Sequence, residues 1–384
     1  MKKLAILTEE SVLSGAYRTG VAEVADSLAY SMTPEYAVTV VCPDGDGLLV
    51  RMTAEGQTVS EGVRRCRLFG VDYCLVDRAR WPEAATALLG ELKPDVLHSF
   101  ATPELLADVR PRPERCVYTV DRAEALRGRE AALRDYDAVT TVSESYAREL
   151  LAAGDELSSV LRELPFRGIT NGILTEVFTP EKGLLLAAKY TPADQAGKDL
   201  CKAHLLKTYG IPEGKCLWVM LTRMTRDKGA DLVLDALPEI REKGGFVLFA
   251  GRGEAEIEER LAALTREDGA LWLKKRREPQ QMLPLLAGAD FCLNPSRAEP
   301  CGLTPMTAAH YGTIPIVTQA GGLKDNMDGR IAVLVGEGGM TAAVSEAAAL
   351  YADPFRLYLK RKAAMERDFG WKTRKTGYLE VYEG

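Results

Sequence analysis

Leu217-Trp218-Val219-Met220-Leu221-Thr222-Arg223-Met224-Thr225-Arg226-Asp227-Lys228-Gly229-Ala230-Asp231-Leu232-Val233-Leu234 passes from one hydrophobic period to another. Positions 217 to 221 are apolar without interruption, as in a strand covered on both faces. Leu232, Val233, Leu234 and Leu237 then recur at the spacing of one helical side. Strand, short polar loop and helix together are half of a βαβ unit. The same alternation runs outward in both directions. Apolar, β-branched runs lie at 4–7, 36–42, 95–98, 117–120 and 138–142 and again at 246–250, 270–273, 290–294 and 314–317, with helix-period sequence between them. Such a pattern predicts parallel sheets with helices on both faces, so the fold class is α/β.

The rhythm breaks between about 167 and 214, where Gly172, Pro180, Pro192, Gly197, Gly210, Pro212 and Gly214 punctuate polar sequence. A hinge is expected there. The reading is of a domain over 1–178, a second over 179–355 and a helical tail over 356–384 that crosses back to the first domain. Open parallel sheets bind ligands at the carboxyl ends of their strands, which places the expected site in a cleft faced by both domains.

At roughly 150 residues per domain, 384 residues allow two large domains with full cores. With 19 Pro and 34 Gly the chain falls well below low-complexity composition. Lys plus Arg is 49 against 55 Asp plus Glu, a formal charge of -6, which disfavours a general nucleic-acid or anionic-lipid surface. Any anion site must be local. Eight cysteines without a C-x-x-C pair and only three histidines suggest neither a disulfide frame nor a zinc cage. The opening Met1-Lys2-Lys3-Leu4-Ala5-Ile6-Leu7 meets Thr8-Glu9-Glu10 too early for a secretory leader, and no long uncharged apolar stretch follows. A cytoplasmic protein with reduced thiols and no membrane partner is expected.

Three loops after second-domain strands carry the chemistry. In the first, Arg223 and Lys228 stand five apart just before a helix N-terminus, a cationic cradle suited to a diphosphate. Taken alone, they read more readily as solvated surface charges. The second, Asn294-Pro295-Ser296-Arg297-Ala298-Glu299-Pro300-Cys301-Gly302-Leu303-Thr304, opens a helix from Leu303 to His310. The amides of Gly302, Leu303 and Thr304 would be unpaired there and able to donate to phosphate. Glu299 either accepts sugar hydroxyls or caps its own helix. Cys301 reads more readily as a small buried residue than as a nucleophile. The third, Thr318-Gln319-Ala320-Gly321-Gly322-Leu323, permits close backbone approach to a ligand or is a plain loop breaker.

In this order, Arg223…Lys228-Gly229, Pro295-Ser296-Arg297-x-Glu299-Pro300-Cys301-Gly302-Leu303-Thr304, Tyr311-Gly312-Thr313-Ile314-Pro315 and Gly321-Gly322-Leu323 resemble bacterial glycogen synthase and plant starch synthase. Upstream, 138–147, Asn171-Gly172-Ile173 and Phe178 are similar to the same family, as is Phe369-Gly370-Trp371. The resemblance implies two Rossmann-like domains of the GT-B type. It implies transfer of glucose from ADP-glucose to the 4-hydroxyl at the non-reducing end of an α-1,4-glucan, with retention and without a metal or other cofactor. The partners are then a nucleotide-sugar donor and a glucan, and the second domain holds the donor while the first faces the acceptor. Arg223 and Lys228 would stabilise the leaving diphosphate, Glu299 and Cys301 would touch the transferred sugar, and Asn171 would line its pocket.

The first domain departs from the family pattern. Where the family has Lys-Thr-Gly-Gly after the first strand, this chain has Arg18-Thr19-Gly20-Val21, which either binds donor in another pose or is a strand-to-helix turn. Where the family has His-Asn, Asp121-Arg122 follows the strand at 117–120. Asp121 either stabilises a positive sugar-like transition state, pairs with Arg122, or caps a helix expected over 123–133. His98-Ser99-Phe100-Ala101 replaces an acidic residue and a tryptophan, and Lys274-Lys275-Arg276-Arg277-Glu278-Pro279 replaces Gly-Tyr. Two rival readings remain: a regulatory or catalytically impaired nucleotide- and glucan-binding relative, and a retaining glycosyltransferase with another acceptor.

Overall fold

The computed structural model describes residues 1–12, 20–45, 58–60, 62–264, 266–274 and 279–384. It divides into two compact units, the first made of Met1–Ile173 and Gly370–Gly384, the second of Leu174–Phe369. The units change over at 173, where the sequence punctuation suggests a cut at 178. Of the expected tail, only Gly370–Gly384 groups with the first unit.

In the first unit the strands are β1 (Lys3–Leu7), β2 (Ala37–Pro43), β3 (Thr58–Ser60), β4 (Val63–Leu68), β5 (Val71–Val76), β6 (Val96–Ser99), β7 (Arg115–Val120), β8 (Ala138–Thr141) and β9 (Phe166–Gly168). Their order is β3-β4-β5-β2-β1-β6-β7-β8-β9. From β5 to β9 every pairing is parallel, with β1 between β2 (Leu4 beside Val38) and β6 (Leu4 beside Val96). The edge formed by β3, β4 and β5 is antiparallel. Apolar alternation does not announce it, because β4 reads Val-Arg-Arg-Cys-Arg-Leu and buries only Val63 and Cys66. Leu7, Val41, Leu97, Val120 and Val139 join in one core. The helix expected over 123–133 is instead two 3-10 segments, Ala123–Leu126 and Glu130–Asp135, separated by Gly128 at φ +76°, a conformation no helix continues through.

The second unit has β10 (Cys216–Leu221), β11 (Gly245–Ala250), β12 (Ala270–Leu273), β13 (Phe291–Asn294), β14 (Ile314–Val317) and β15 (Val333–Leu334), in the order β12-β11-β10-β13-β14-β15 and parallel throughout. The chain lays strands to one side of β10, then returns and lays the rest on the other. That reversal puts the topological switch point between β10 and β13, where open α/β sheets bind ligands. The first unit has the same reversal between β1 and β6.

All eight cysteines are buried, and none is joined in a disulfide. Among the described residues no helix is long and apolar enough to cross a membrane, and no group of three or more His, Cys, Asp or Glu is gathered to hold a metal ion.

Candidate functional site

At the switch point of the second unit the loops leaving β10 and β13 touch through their backbones. Gly229 stands at φ +71°, and a Cβ there would lie 2.2 Å from the Pro295 carbonyl oxygen, so only glycine lets the two loops meet. Beyond it runs the helix Ala230–Glu242, with Val233, Leu234, Leu237 and Ile240 buried as the apolar spacing requires. Asp231, in its first turn, accepts both ends of the Arg297 guanidinium at 2.7 and 2.8 Å. The Arg297 hydrogen bonds hold the Asp231 carboxyl below its usual range. The Arg297 amide also donates to the Asp227 carbonyl at 2.8 Å. Arg297 thus staples the loops together, and Arg226 is taken up by Glu256 at 2.8 Å.

The two sequence-predicted cations are held differently. Lys228 is nearly buried, its side chain 12% exposed, and its Nζ donates to Glu299 Oε2 at 2.9 Å and to the Ala298 carbonyl at 3.3 Å. Those two bonds leave one ammonium proton without a hydrogen-bond partner among the described residues. Arg223 is 49% exposed and pairs with Asp227 at 3.1 Å. Partial burial works to raise the Asp227 carboxyl, but side-chain hydrogen bonding and the charges of Arg223 and Lys228 outweigh it and hold the group below its usual range. Asp227 therefore feels both cations, although no hydrogen bond joins them to each other.

Glu299 is fixed by more than Lys228. Ser296 Oγ donates to its Oε2 at 3.4 Å, and its carbonyl accepts the Gly322 amide at 2.9 Å, which brings in the loop after β14. Cys301 is buried, 6% exposed, as its small-residue reading expects, and its carbonyl accepts from Asn326 Nδ2 at 2.8 Å. The helix Leu303–His310 begins at Gly302 with no side-chain cap. Its first turn contains Pro305, and the amides of Gly302, Leu303 and Thr304 find no acceptor among the described residues. Lys228, Arg223 and three open amides at one helix start form a field of positive potential that suits a diphosphate. Sequence reasoning found these residues and the Gly321-Gly322 turn but gave no part to Asp227 or Asn326, whose contacts depend on which loops the sheet order makes neighbours.

In the first unit, Gly20 opens the helix Gly20–Met32, while Arg18 and Thr19 lie outside the described residues. So do 275–278 of the cationic run; Lys274 sits over the Trp272 ring at 5.0 Å. Asp121 leaves the end of β7 and pairs with Arg122 Nε at 3.1 Å. His98, on β6, is fully buried: Nδ1 meets the Tyr382 hydroxyl and Nε2 the Thr119 hydroxyl, each at 2.6 Å, and burial pushes its pKa down to about 3. A neutral ring with both nitrogens engaged is a structural histidine. Asn171, 1% exposed, accepts the Tyr378 hydroxyl on Oδ1 at 3.0 Å. None of the described contacts joins Asp121 to Asn171.

Comparison with known proteins places this geometry. Residues 215–353, the stretch that carries the three loops, match the family model for glycosyl transferases group 1. The whole chain superposes on the catalytic domain of Arabidopsis thaliana starch synthase IV, solved with ADP and acarbose, with a TM-score of 0.84 at 21% identity, covering 100% of this chain and 99% of that one. Anabaena HepE, solved with UDP and glucose, superposes with a TM-score of 0.68 at 15% identity over 100% of both chains. Two Rossmann-like units with this strand order have the fold of GT-B glycosyltransferases. Glycogen synthase of Yersinia enterocolitica is 31% identical over 378 residues, 84% of this chain and 78% of that protein. Glycogen synthase of Myxococcus xanthus is 40% identical over 257 residues, 63% of this chain, and the match spans 53% of that protein's length. The chain belongs to the glycogen synthase family.

Proposed function

We propose that this protein transfers glucose from ADP-glucose to the non-reducing end of an α-1,4-glucan with retention of configuration. The observation that carries the reading is the pairing of Lys228 with Glu299 beside the uncapped start of Leu303–His310. As the glucosyl bond breaks, negative charge grows on the departing ADP. Lys228, Arg223 and the amides of Gly302, Leu303 and Thr304 supply donors where that charge develops, fixed in advance by the sheet. These groups take the part that a divalent cation plays at other phosphate sites. Glu299, held by Lys228 and Ser296, presents a carboxylate to hydroxyls of the transferred sugar, with the small Cys301 beside it. Ligands bound to structural relatives support a nucleotide-sugar donor: starch synthase IV was solved with ADP and HepE with UDP and glucose.

One observation favours a second reading. Asp121 stands where the family carries histidine and is engaged with Arg122, so a nucleotide- and glucan-binding relative without turnover has the same donor loops. Incubation with radiolabelled ADP-glucose and glycogen, with UDP-glucose in parallel, separates the two. Label in glycogen from ADP-glucose is the expected result. Tight ADP binding with no incorporation from either donor favours the second reading, and hydrolysis or transfer only to other sugars points to another acceptor. If ADP does not bind at all, the donor site itself is misassigned.

A further inference from the structure

Tyr311-Gly312-Thr313, distinctive in the sequence and unused by the donor loops, closes the C-terminal end of the helix Leu303–His310. The Gly312 and Thr313 amides donate back to the carbonyls of Ala309 and Ala308, each at 2.9 Å, while the Tyr311 carbonyl accepts from Lys198. Lys198 lies in the first turn of the helix Ala196–Tyr209 and is 1% exposed. Its Nζ donates to the Tyr311 carbonyl at 2.9 Å and to Thr313 Oγ1 at 2.8 Å. It also reaches the carbonyls of Ala287 and Leu286, at 3.0 and 3.2 Å, in the last turn of the helix Pro279–Gly288. Gly312 stands at φ +66°, and a Cβ there would lie 2.9 Å from Met365 Sδ beside the lysine stem.

Backbone carbonyls can only accept, and three of them face this nitrogen. Thr313 spends its own hydroxyl proton on the carbonyls of Leu286 and Ala289, so its oxygen accepts as well. Burial pushes the Lys198 pKa well below the ordinary lysine value, yet a neutral amine has two protons and would turn its lone pair on a carbonyl. The cage fits an ammonium, with three protons shared among four oxygens. A cation at two helix C-termini also lies where the helix dipoles favour it, and the opposite end of Leu303–His310 is the start that suits a diphosphate. That helix has eight residues, about 12 Å, in a close-packed core, so a shift at one end is carried to the other. We propose that Lys198 is a positioning residue: its caged ammonium holds the C-terminal end of Leu303–His310 and so sets where the first turn presents its open amides to the diphosphate. This inference rests on the proposed function, which puts the diphosphate at that helix start, and adds what holds the start in place.

Lys202 supplies the control. One turn along the same helix, it gives its ammonium to Asp290 at 2.6 Å and to the Tyr351 hydroxyl at 2.8 Å, and among the described residues no hydrogen bond joins it to 303–313. The test uses the full chain and its Lys198→Met, Thr313→Val and Lys202→Met variants, each with melting temperature and equilibrium binding of ADP and of adenosine. A fourth variant, Lys198→Ala, is titrated with ammonium chloride and, at equal ionic strength, with tetramethylammonium chloride. Lys198→Met should weaken ADP about 10-fold and leave adenosine, which has no phosphate, unchanged, while Thr313→Val should weaken ADP about 3-fold. Lys202→Met should bind both ligands normally even where its melting temperature falls. Ammonium, small enough to stand in for the missing side-chain head, should restore ADP binding to Lys198→Ala, and tetramethylammonium should not. The proposal is overturned if Lys198→Met binds ADP as the wild type does, if ADP and adenosine weaken equally, if Lys202→Met weakens ADP as much, or if the two salts act alike. If Lys198→Met fails to fold, Thr313→Val decides, and unchanged ADP affinity there has the same force. Should all these variants keep ADP affinity while Lys228→Ala loses it, the donor site stands and the Lys198 assignment fails. If the wild-type protein does not bind ADP, the functional reading fails first and takes this one with it.

Discussion

Arg223 and Lys228 sit on one loop, yet their surroundings assign them different energies. The pair of Arg223 with Asp227 is half-exposed, and such pairs contribute about 0–1 kcal/mol, so Arg223 can leave it for a phosphate at little cost. Lys228 is nearly enclosed and shared with Glu299. Replacing Lys228 with Ala should therefore lower kcat by about 10² to 10³, the effect of removing one donor from a developing charge, and should also release Glu299. A kcat within threefold of wild type, measured with saturating ADP-glucose, rules out the assigned role. Gly229→Ala tests the backbone contact instead. The added Cβ meets the Pro295 carbonyl and a left-handed φ, so the loops must part, and both melting temperature and ADP affinity should fall. These residues were legible because strand, loop and helix follow each other in sequence. The bond from Tyr378 to Asn171 was not, since it joins positions 207 apart with no local signature.

Among the elements, the parallel strands could be read from their unbroken apolar runs, and their order set the loops after β10 and β13 side by side. The antiparallel edge was invisible, because β4 carries three arginines, two of them exposed, and alternates only weakly. The 3-10 pair after β7 was misread as one helix since Gly128 costs little in a helical pattern but turns the chain when it takes positive φ. The helices Trp371–Arg374 and Thr376–Glu383 are a different case. Their apolar residues were evident, but not what they cover. Arg115 Nε donates to the Val381 carbonyl at 2.9 Å, and the Tyr36 and Tyr382 rings meet edge to face at 5.8 Å. Trp371 is 1% exposed, so Trp371→Ala should destabilise the first unit by about 3–5 kcal/mol, seen as an earlier urea transition of that unit alone. Unchanged unfolding would mean that the segment is not part of its core.

Across the molecule, two histidines couple folding to acidity. Burial lowers His98 to about 3 in the first unit and, against a hydrogen bond with the Phe178 backbone, His310 to about 4 in the second. Unfolded, each takes up a proton near pH 6.5, whereas the folded forms stay neutral. Their stabilisation is thus complete above pH 6.5 and is lost as pH falls toward 4 and 3, with a limiting slope of about 1.4 kcal/mol per pH unit for each. In the first unit Glu23, raised by burial to about 7, opposes His98 over the same range, so the check is the second unit's urea midpoint, which should fall between pH 7 and 5. The division of the chain carries a further consequence for biosynthesis. Residues 174–369 leave the ribosome in a single stretch and contain every strand their sheet needs. The first unit, although begun earlier, waits for Gly370–Gly384. A nascent chain stalled before Trp371 therefore holds a finished second unit and an uncapped first one, the unit that chaperones and proteases would recognise.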